Sequence, residues 1–428
     1  MFSQNGLSLD QAPPISVVFR FFFSGALFGM LAALFVLIFQ EKIFDAHSAE
    51  ALIFIHTLTL GVMLSVMFAA LFQMLPVIAG VTLRSPVKKA DRVQYPFLAG
   101  VFLLLLAFAY KTPLLFILAS TLLGGSILYI AVVMLKNLLS IDHHSASSKG
   151  ILLTMIALIM LVLLALYMTA ALSGLTSGIY YMQVKQAHYS FGLFAWIAVL
   201  IISISFQVIE MFYVTPSYPK FVSQYLPLKI LLLIFTAFFI SFFFEKIWLL
   251  IDIFIALLLS GYALLTLKRL TQRKRPLTDA TVWLWRLGLV SLLFSMILMI
   301  VNIFTEIPEL STVSFVFFAS FTLSIVLAMF YKIIPFLTWF HLSSQGYFTA
   351  PMMYEVIHPK TAMKHLYIHL TMVIVYLLSV YYPVLLSLAG VLTLLSFAWM
   401  TWQIVHAHLI YKKTQETGEK FDMGMPIE

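Results

Sequence analysis

HTLTLGVMLSVMFAALFQMLPVIAG, residues 56–80, carries no charged side chain over 25 positions. A bilayer core about 30 Å thick is crossed by about 20 helical residues, so an uncharged run of this length reads as a transmembrane helix. Three features are unusual for such a helix: a histidine at its head, Gln73 near its end, and then Leu75, Pro76, Val77 and Gly80.

The rest of the chain repeats the pattern. Of 428 residues, 62% are hydrophobic and only 10% are charged. That composition defines an all-α polytopic membrane protein. Every backbone amide inside a bilayer needs an internal partner, and the apolar runs are too long and continuous for the alternation of a membrane barrel. The predicted spans are Ile15 to Gln40, Glu50 to Ile78, Tyr95 to Tyr110, Pro113 to Leu135, Gly150 to Leu172, His188 to Val214, Leu228 to Phe244, Ile247 to Leu267, Thr281 to Asn302, Thr312 to Ile334, Lys364 to Tyr381 and Pro383 to Ile410. Residues 1–428 thus form one transmembrane domain of twelve helices, with 412–428 as a short cytoplasmic tail.

Lysine and arginine collect in cytoplasmic loops. With both termini inside, 21 of the 25 basic residues fall on the inner side, and only Lys42, Lys111, Lys185 and Lys246 fall outside. The net charge of +8 is therefore topological and implies no nucleic-acid partner. The bilayer itself is the expected partner, and an inner (cytoplasmic) membrane the expected location. No basic residue precedes Arg20, so the first span reads as a retained helix and not a cleaved signal. With no cysteine in the chain, disulfides, thiolate metal sites and iron–sulfur clusters are excluded, leaving His, Met, carboxylate or Tyr as ligands for any metal or haem.

No loop is long enough to form a domain. The segment KRLTQRKRPLTDA, residues 268–280, reads as a topogenic anchor or as a site for anionic lipid head groups. There is no phosphate-binding glycine loop, no HExxH and no GxSxG, so neither a hydrolase nor a nucleotide-driven pump is expected, and no catalytic residue is assigned.

Function then rests on polar groups that enter the membrane. His56, His188, Asp252 and Asn302 share the outer half of the predicted bundle, while His341, His358, His365, His369, His406, His408 and Glu210 lie toward the inner side. At about 100° per residue, Met63, Met67 and Met74 fall on the stripe headed by His56, and Gly61 leaves room for a close neighbour. Such a stripe is either an ordinary methionine-filled core or a wall against a flat apolar cofactor with His56 as an axial ligand. His365 and His369, four positions apart, share one face of the eleventh helix. With His341 and the neighbouring Met352, Met353 and Met363 they are candidate ligands for Cu(I), or else interfacial histidines bonded to loop backbone.

The order His56, then an apolar helix, then Phe72-Gln73-Met74-Leu75-Pro76-Val77 and Gly80 before the basic Arg84 resembles helix two of haem–copper oxidase subunit I. The twelve-helix plan is similar to that subunit and to the NnrS-like membrane proteins. The resemblance implies haem, copper or both, with His56 and His188 as the haem ligands. It also implies a role in respiratory metal or nitric oxide handling, alongside respiratory-chain or assembly proteins. The sequence departs from an oxidase in lacking a histidine-rich copper site in the sixth, seventh and tenth spans, so a complete dioxygen-reducing centre is not expected. A b-type haem and copper are thus the expected cofactors. The alternative is a secondary transporter coupling protons or solute through Glu210, Asp252 and Asn302.

Overall fold

The computed structural model describes residues 12–275, 277–305 and 307–420. Twelve helices are long and apolar enough to cross a membrane: α1 Ile15–Phe44, α2 Ala49–Ala79, α3 Pro86–Tyr110, α4 Pro113–Leu139, α5 Ala146–Leu172, α6 Tyr181–Tyr213, α7 Lys220–Ser241, α8 Ile247–Thr271, α9 Ala280–Thr305, α10 Pro308–Ser344, α11 Pro359–Ser379 and α12 Pro383–Thr417. There is no strand among the described residues, and one short helix, Met353–Val356, lies in the connection before α11. The protein is a multi-pass helical bundle.

Local chemistry fixes several helix starts. The Ser48 hydroxyl accepts from the Ala51 N–H at 2.9 Å and the Ser145 hydroxyl from the Ser148 N–H at 3.1 Å, each satisfying an amide that the first turn leaves orphaned. His358 does the same for α11, its Nδ1 accepting from the Lys360 N–H at 3.2 Å.

Several boundaries differ from those expected of the sequence. The sixth helix begins at Tyr181, so His188 lies two turns inside it. The third begins at Pro86, because proline suits the first helical position and the charged stretch that follows is helical although too polar to lie within hydrocarbon. Leu75-Pro76-Val77 does not end α2: Pro76 is within the helix, which stops at Gly80 in the left-handed conformation (φ 64°) that glycine adopts without penalty. Pro335 likewise lies inside α10, which continues to Ser344. Surrounding helices re-satisfy the backbone that a proline frees, so membrane helices tolerate it. The twelfth helix extends through Thr417, and residues 421–428 of the expected tail lie outside the described residues.

Burial separates two helices from the rest. The apolar windows of α2 and α6 are 83% and 78% buried, against 33–67% for the other ten, so these two form the interior about which the others pack. The most extensive pairing is α9 with α10, where Gly288 sits against the Phe321 carbonyl; a Cβ there would come within 3.0 Å of that oxygen. Small residues at such seams let backbones approach when hydrophobic association offers no driving force. α1 packs along α12, bringing the first and last spans together.

Candidate functional site

His56 and His188 occupy equivalent places on the two interior helices. Each lies seven residues after its helix's first residue, Ala49 and Tyr181. Just beyond each, the helix widens into a π-helical segment, Thr57–Leu64 in α2 and Phe191–Ala198 in α6. π-helical turns are rare, and they occur frequently at functional sites because the extra residue per turn re-aims side chains. The widening also breaks the constant angle per residue, so the Met63, Met67 and Met74 stripe drawn from His56 does not hold as a straight line. All three methionines are nevertheless buried.

His56 is half-buried, with its Nδ1 2.8 Å from the Leu52 carbonyl oxygen and its ring 4.9 Å from the Phe108 ring, centroid to centroid. A carbonyl only accepts, so Nδ1 carries the proton and donates, leaving Nε2 with a free lone pair. Such an arrangement fixes the tautomer of a ligating imidazole. His188 lies against the Leu161 backbone of α5 and near enough to His56 for the two rings to interact electrostatically. Its Nδ1 is buried with no hydrogen-bond partner. Buried nitrogens of that kind are uncommon and require explanation. Gly61, expected to admit a close neighbour, receives the Phe28 ring of α1, which approaches within 2.5 Å of where a Cβ would stand.

The other outer-half candidates are less closely joined. Asp252 on α8 lies within electrostatic range of Tyr189, the residue after His188. The Asp252 Oδ1, the Trp248 Nε1 one turn earlier, the Gln183 Oε1 and the Asn302 Oδ1 are all buried without partners. Asn302 shares no hydrogen bond with the histidines. Glu210, at the inner end of α6, accepts from the Tyr218 N–H at 2.9 Å and so closes the turn after its own helix.

The inner histidines are arranged differently from a metal chelate. His365 and His369 do share one face of α11, and both are fully buried, but each is taken up by hydroxyls. His365 Nδ1 is 2.7 Å from the Tyr331 hydroxyl and its Nε2 is 2.8 Å from Ser396 Oγ, so neither nitrogen is free for a metal. His369 Nε2 is 2.9 Å from Ser324 Oγ. The contacts tie α11 to α10 and α12 within the membrane, and a cavity of about 10 Å³ lies between His369 and Ser396. His341 is ten residues beyond Tyr331 on α10, about 15 Å further along the helix axis, and does not reach the pair. His358 is exposed as the α11 cap. No group of three or more His, Asp or Glu converges on a metal-sized point among the described residues. As these side chains stand, His341, His365 and His369 are not brought together around one point.

Two features are missed by reading the sequence: the π-helical turns, and the hydroxyl partners of His365 and His369. The partners leave a trace, since Ser324 and Tyr331 lie seven apart on α10 and so face the four-residue spacing of the histidines on an antiparallel neighbour. The π-helical turns leave none, because they depend on packing between helices.

The fold defines the class, a multi-pass helical membrane protein. Compared with known proteins, the chain matches no family model and no curated protein.

Proposed function

We propose that this chain is a haem-binding membrane protein in which His56 and His188 would hold the iron, related to haem–copper oxidase subunit I and the NnrS-like proteins. Its role is in respiratory metal or nitric oxide handling at an inner membrane, next to respiratory-chain or assembly proteins, and not in complete dioxygen reduction.

One observation carries the reading: on the two most buried helices, His56 with its Nδ1 bonded to a carbonyl and His188 with an orphaned buried nitrogen occupy equivalent positions, each just ahead of a π-helical turn. The donor set suits the group, because neutral imidazole is the usual nitrogen ligand of haem iron. When bound, haem would supply one-electron transfer or capture of a small gas. The protein's own part is to orient His56 through Leu52 and to exclude water with Phe108 and the buried methionines of α2. The copper expectation is not carried forward at His341, His365 and His369, whose geometry gives it no support. The transporter reading loses Glu210, which is engaged in a local turn, and keeps only Asp252 and Asn302, whose unpartnered buried oxygens are not brought together with the two histidines.

The visible spectrum of the detergent-purified, haem-supplemented protein tests the proposal. The expected result is a Soret band that shifts on reduction, and that is lost or strongly displaced in His56→Ala and His188→Ala while Met67→Leu leaves it nearly unchanged. A folded wild-type protein without a Soret band, or a His56→Ala variant with an unaltered one, overturns it.

A further inference from the structure

Two hydrogen-bonded groups between α10, α11 and α12 take no part in the haem reading. In the first, the His365 ring stands between two hydroxyls, with Nδ1 2.7 Å from the Tyr331 hydroxyl and Nε2 2.8 Å from Ser396 Oγ. In the second, His369 Nε2 is 2.9 Å from Ser324 Oγ. Ser324 is the one hydrogen-bond partner of the His369 ring among the described residues, so Nδ1 is without one on a residue only 1% exposed. The cavity of about 10 Å³ lies where the two groups approach, and His369 and Ser396 are the polar residues in an otherwise apolar lining. A buried water needs about 10 to 15 Å³ and at least two polar partners, and this site offers both.

The three hydroxyls differ from others on the same helices. Thr338 on α10 and Thr393 on α12 donate to carbonyls four residues back, at 3.0 and 2.7 Å. Tyr331, Ser324 and Ser396 donate to no backbone carbonyl among the described residues. Each can therefore give a proton to the imidazole beside it or accept one from it. A neutral imidazole with a hydroxyl at each nitrogen has two tautomers with the same number of hydrogen bonds. His56 does not, because its Nδ1 faces a carbonyl that only accepts.

We infer that one water molecule in this cavity joins the two groups into a single proton relay, running from Tyr331 through His365, Ser396, the water and His369 to Ser324. Seven residues separate Tyr331 from Ser324 on α10, so the relay covers about 10 Å along that helix. As the Tyr331 hydroxyl accepts an incoming proton, it passes its own to His365 Nδ1. His365 Nε2 then releases one to Ser396, Ser396 to the water, the water to His369 Nδ1, and His369 Nε2 to Ser324. Every group gains one proton and loses one, so one proton has advanced and both rings have changed tautomer. Passage in the opposite direction restores the starting state. Ionisable residues within spans recurrently mark such relays. The relay is independent of the haem reading, which assigns neither ring to iron.

Nitrogen-15 NMR of the histidine-labelled full-length protein in lipid nanodiscs tests the inference, with ring signals assigned by His365→Gln and His369→Gln. In wild type, His365 and His369 are each expected to give ring shifts averaged between the two tautomers, and His369 Nδ1 a cross-peak to water protons. His56 is the fixed reference, its Nδ1 permanently protonated. Ser396→Ala should abolish the water cross-peak and lock both rings in one tautomer each. Thr338→Ala, which removes a buried hydroxyl committed to its own backbone, should leave the averaging unchanged. Each variant is checked for an unchanged elution volume first, and the wild-type spectrum decides even where Ser396→Ala fails to fold. Rings of His365 and His369 locked like that of His56 would make these contacts structural. Averaged rings with no water cross-peak would mean a dry cavity, and averaging that survives Ser396→Ala would mean a route through other groups. Any of the three overturns the inference.

Discussion

Histidines at similar distances into their helices stand in quite different surroundings, and the difference sets what each substitution does. His56 is half-buried and makes one hydrogen bond, to a carbonyl four residues back in its own helix, so removing it orphans no distant partner. His365 is fully buried and bridges Tyr331 and Ser396 from two other helices. His365→Leu leaves two buried hydroxyls without a partner, each costing about 1 to 3 kcal/mol. We therefore expect His365→Leu to lower the thermal midpoint of the apoprotein in detergent markedly, and His56→Ala to lower it by no more than about 1 kcal/mol equivalent. A His365→Leu variant as stable as wild type would show that the hydroxyl contacts are not holding α10, α11 and α12 together. Both histidines are visible in the sequence as polar residues in apolar runs. Their roles are not, because the distinction lies in partners 31 to 45 positions away for the inner pair and four for His56.

Helices were legible where one physical requirement dominates and obscure where several compete. Bilayer thickness sets a minimum length for apolar runs, so all twelve spans can be read from hydropathy. The ends of α2 and α10 cannot, since a proline that would stop a soluble helix is accommodated once neighbours satisfy the freed carbonyl. At the inner rim, α6, α9 and α10 are joined through a short polar chain: Tyr213 donates to Thr281 at 2.9 Å, Thr281 to Asp279 at 2.6 Å, and Lys332 to Asp279 at 2.7 Å. Burial alone would raise the Asp279 carboxyl, but the Lys332 ammonium and the hydrogen bonds from Lys332, Thr281 and the Val282 N–H outweigh it and hold the group below the usual carboxylate range. A depressed folded value contributes stability above the unfolded value, near 3.9, that is lost as pH falls through the lower folded value. Stability should therefore be unaffected by this pair between about pH 7 and 5 and decline only below about 4. Asp279→Asn should lose about 1 kcal/mol at pH 7, the modest amount expected of a partly exposed pair, and should flatten that acid limb. Thermal unfolding of both proteins from pH 7 to 3.5 measures it, and parallel curves would show that Asp279 does not carry the linkage.

At the scale of the whole molecule, the bundle's contacts are the same whichever way it is inserted, so orientation rests on charge. Placing both termini inside assigns 21 basic residues to the inner surface and four to the outer. Each inner cation that had to be translocated would oppose the membrane potential and the attraction of anionic lipids, which together bias insertion strongly. The proposed haem site lies toward one face, so its sidedness follows from the same count. The chain contains no cysteine, so a single introduced thiol reports its side without a background. Lys111, exposed between α3 and α4, belongs to the outer surface, and His144, exposed between α4 and α5, to the inner. In intact spheroplasts a membrane-impermeant maleimide should label Lys111→Cys and spare His144→Cys, and permeabilisation should expose both. Neither site lies in a helix, and neither substitution disturbs a core contact, so loss of labelling through misfolding is not expected. The reverse pattern would invert the bundle and put His56 and His188 at the cytoplasmic face. Labelling of both positions without permeabilisation would instead mean that α4 does not span the membrane, against its 27 residues and mean hydropathy of 2.2.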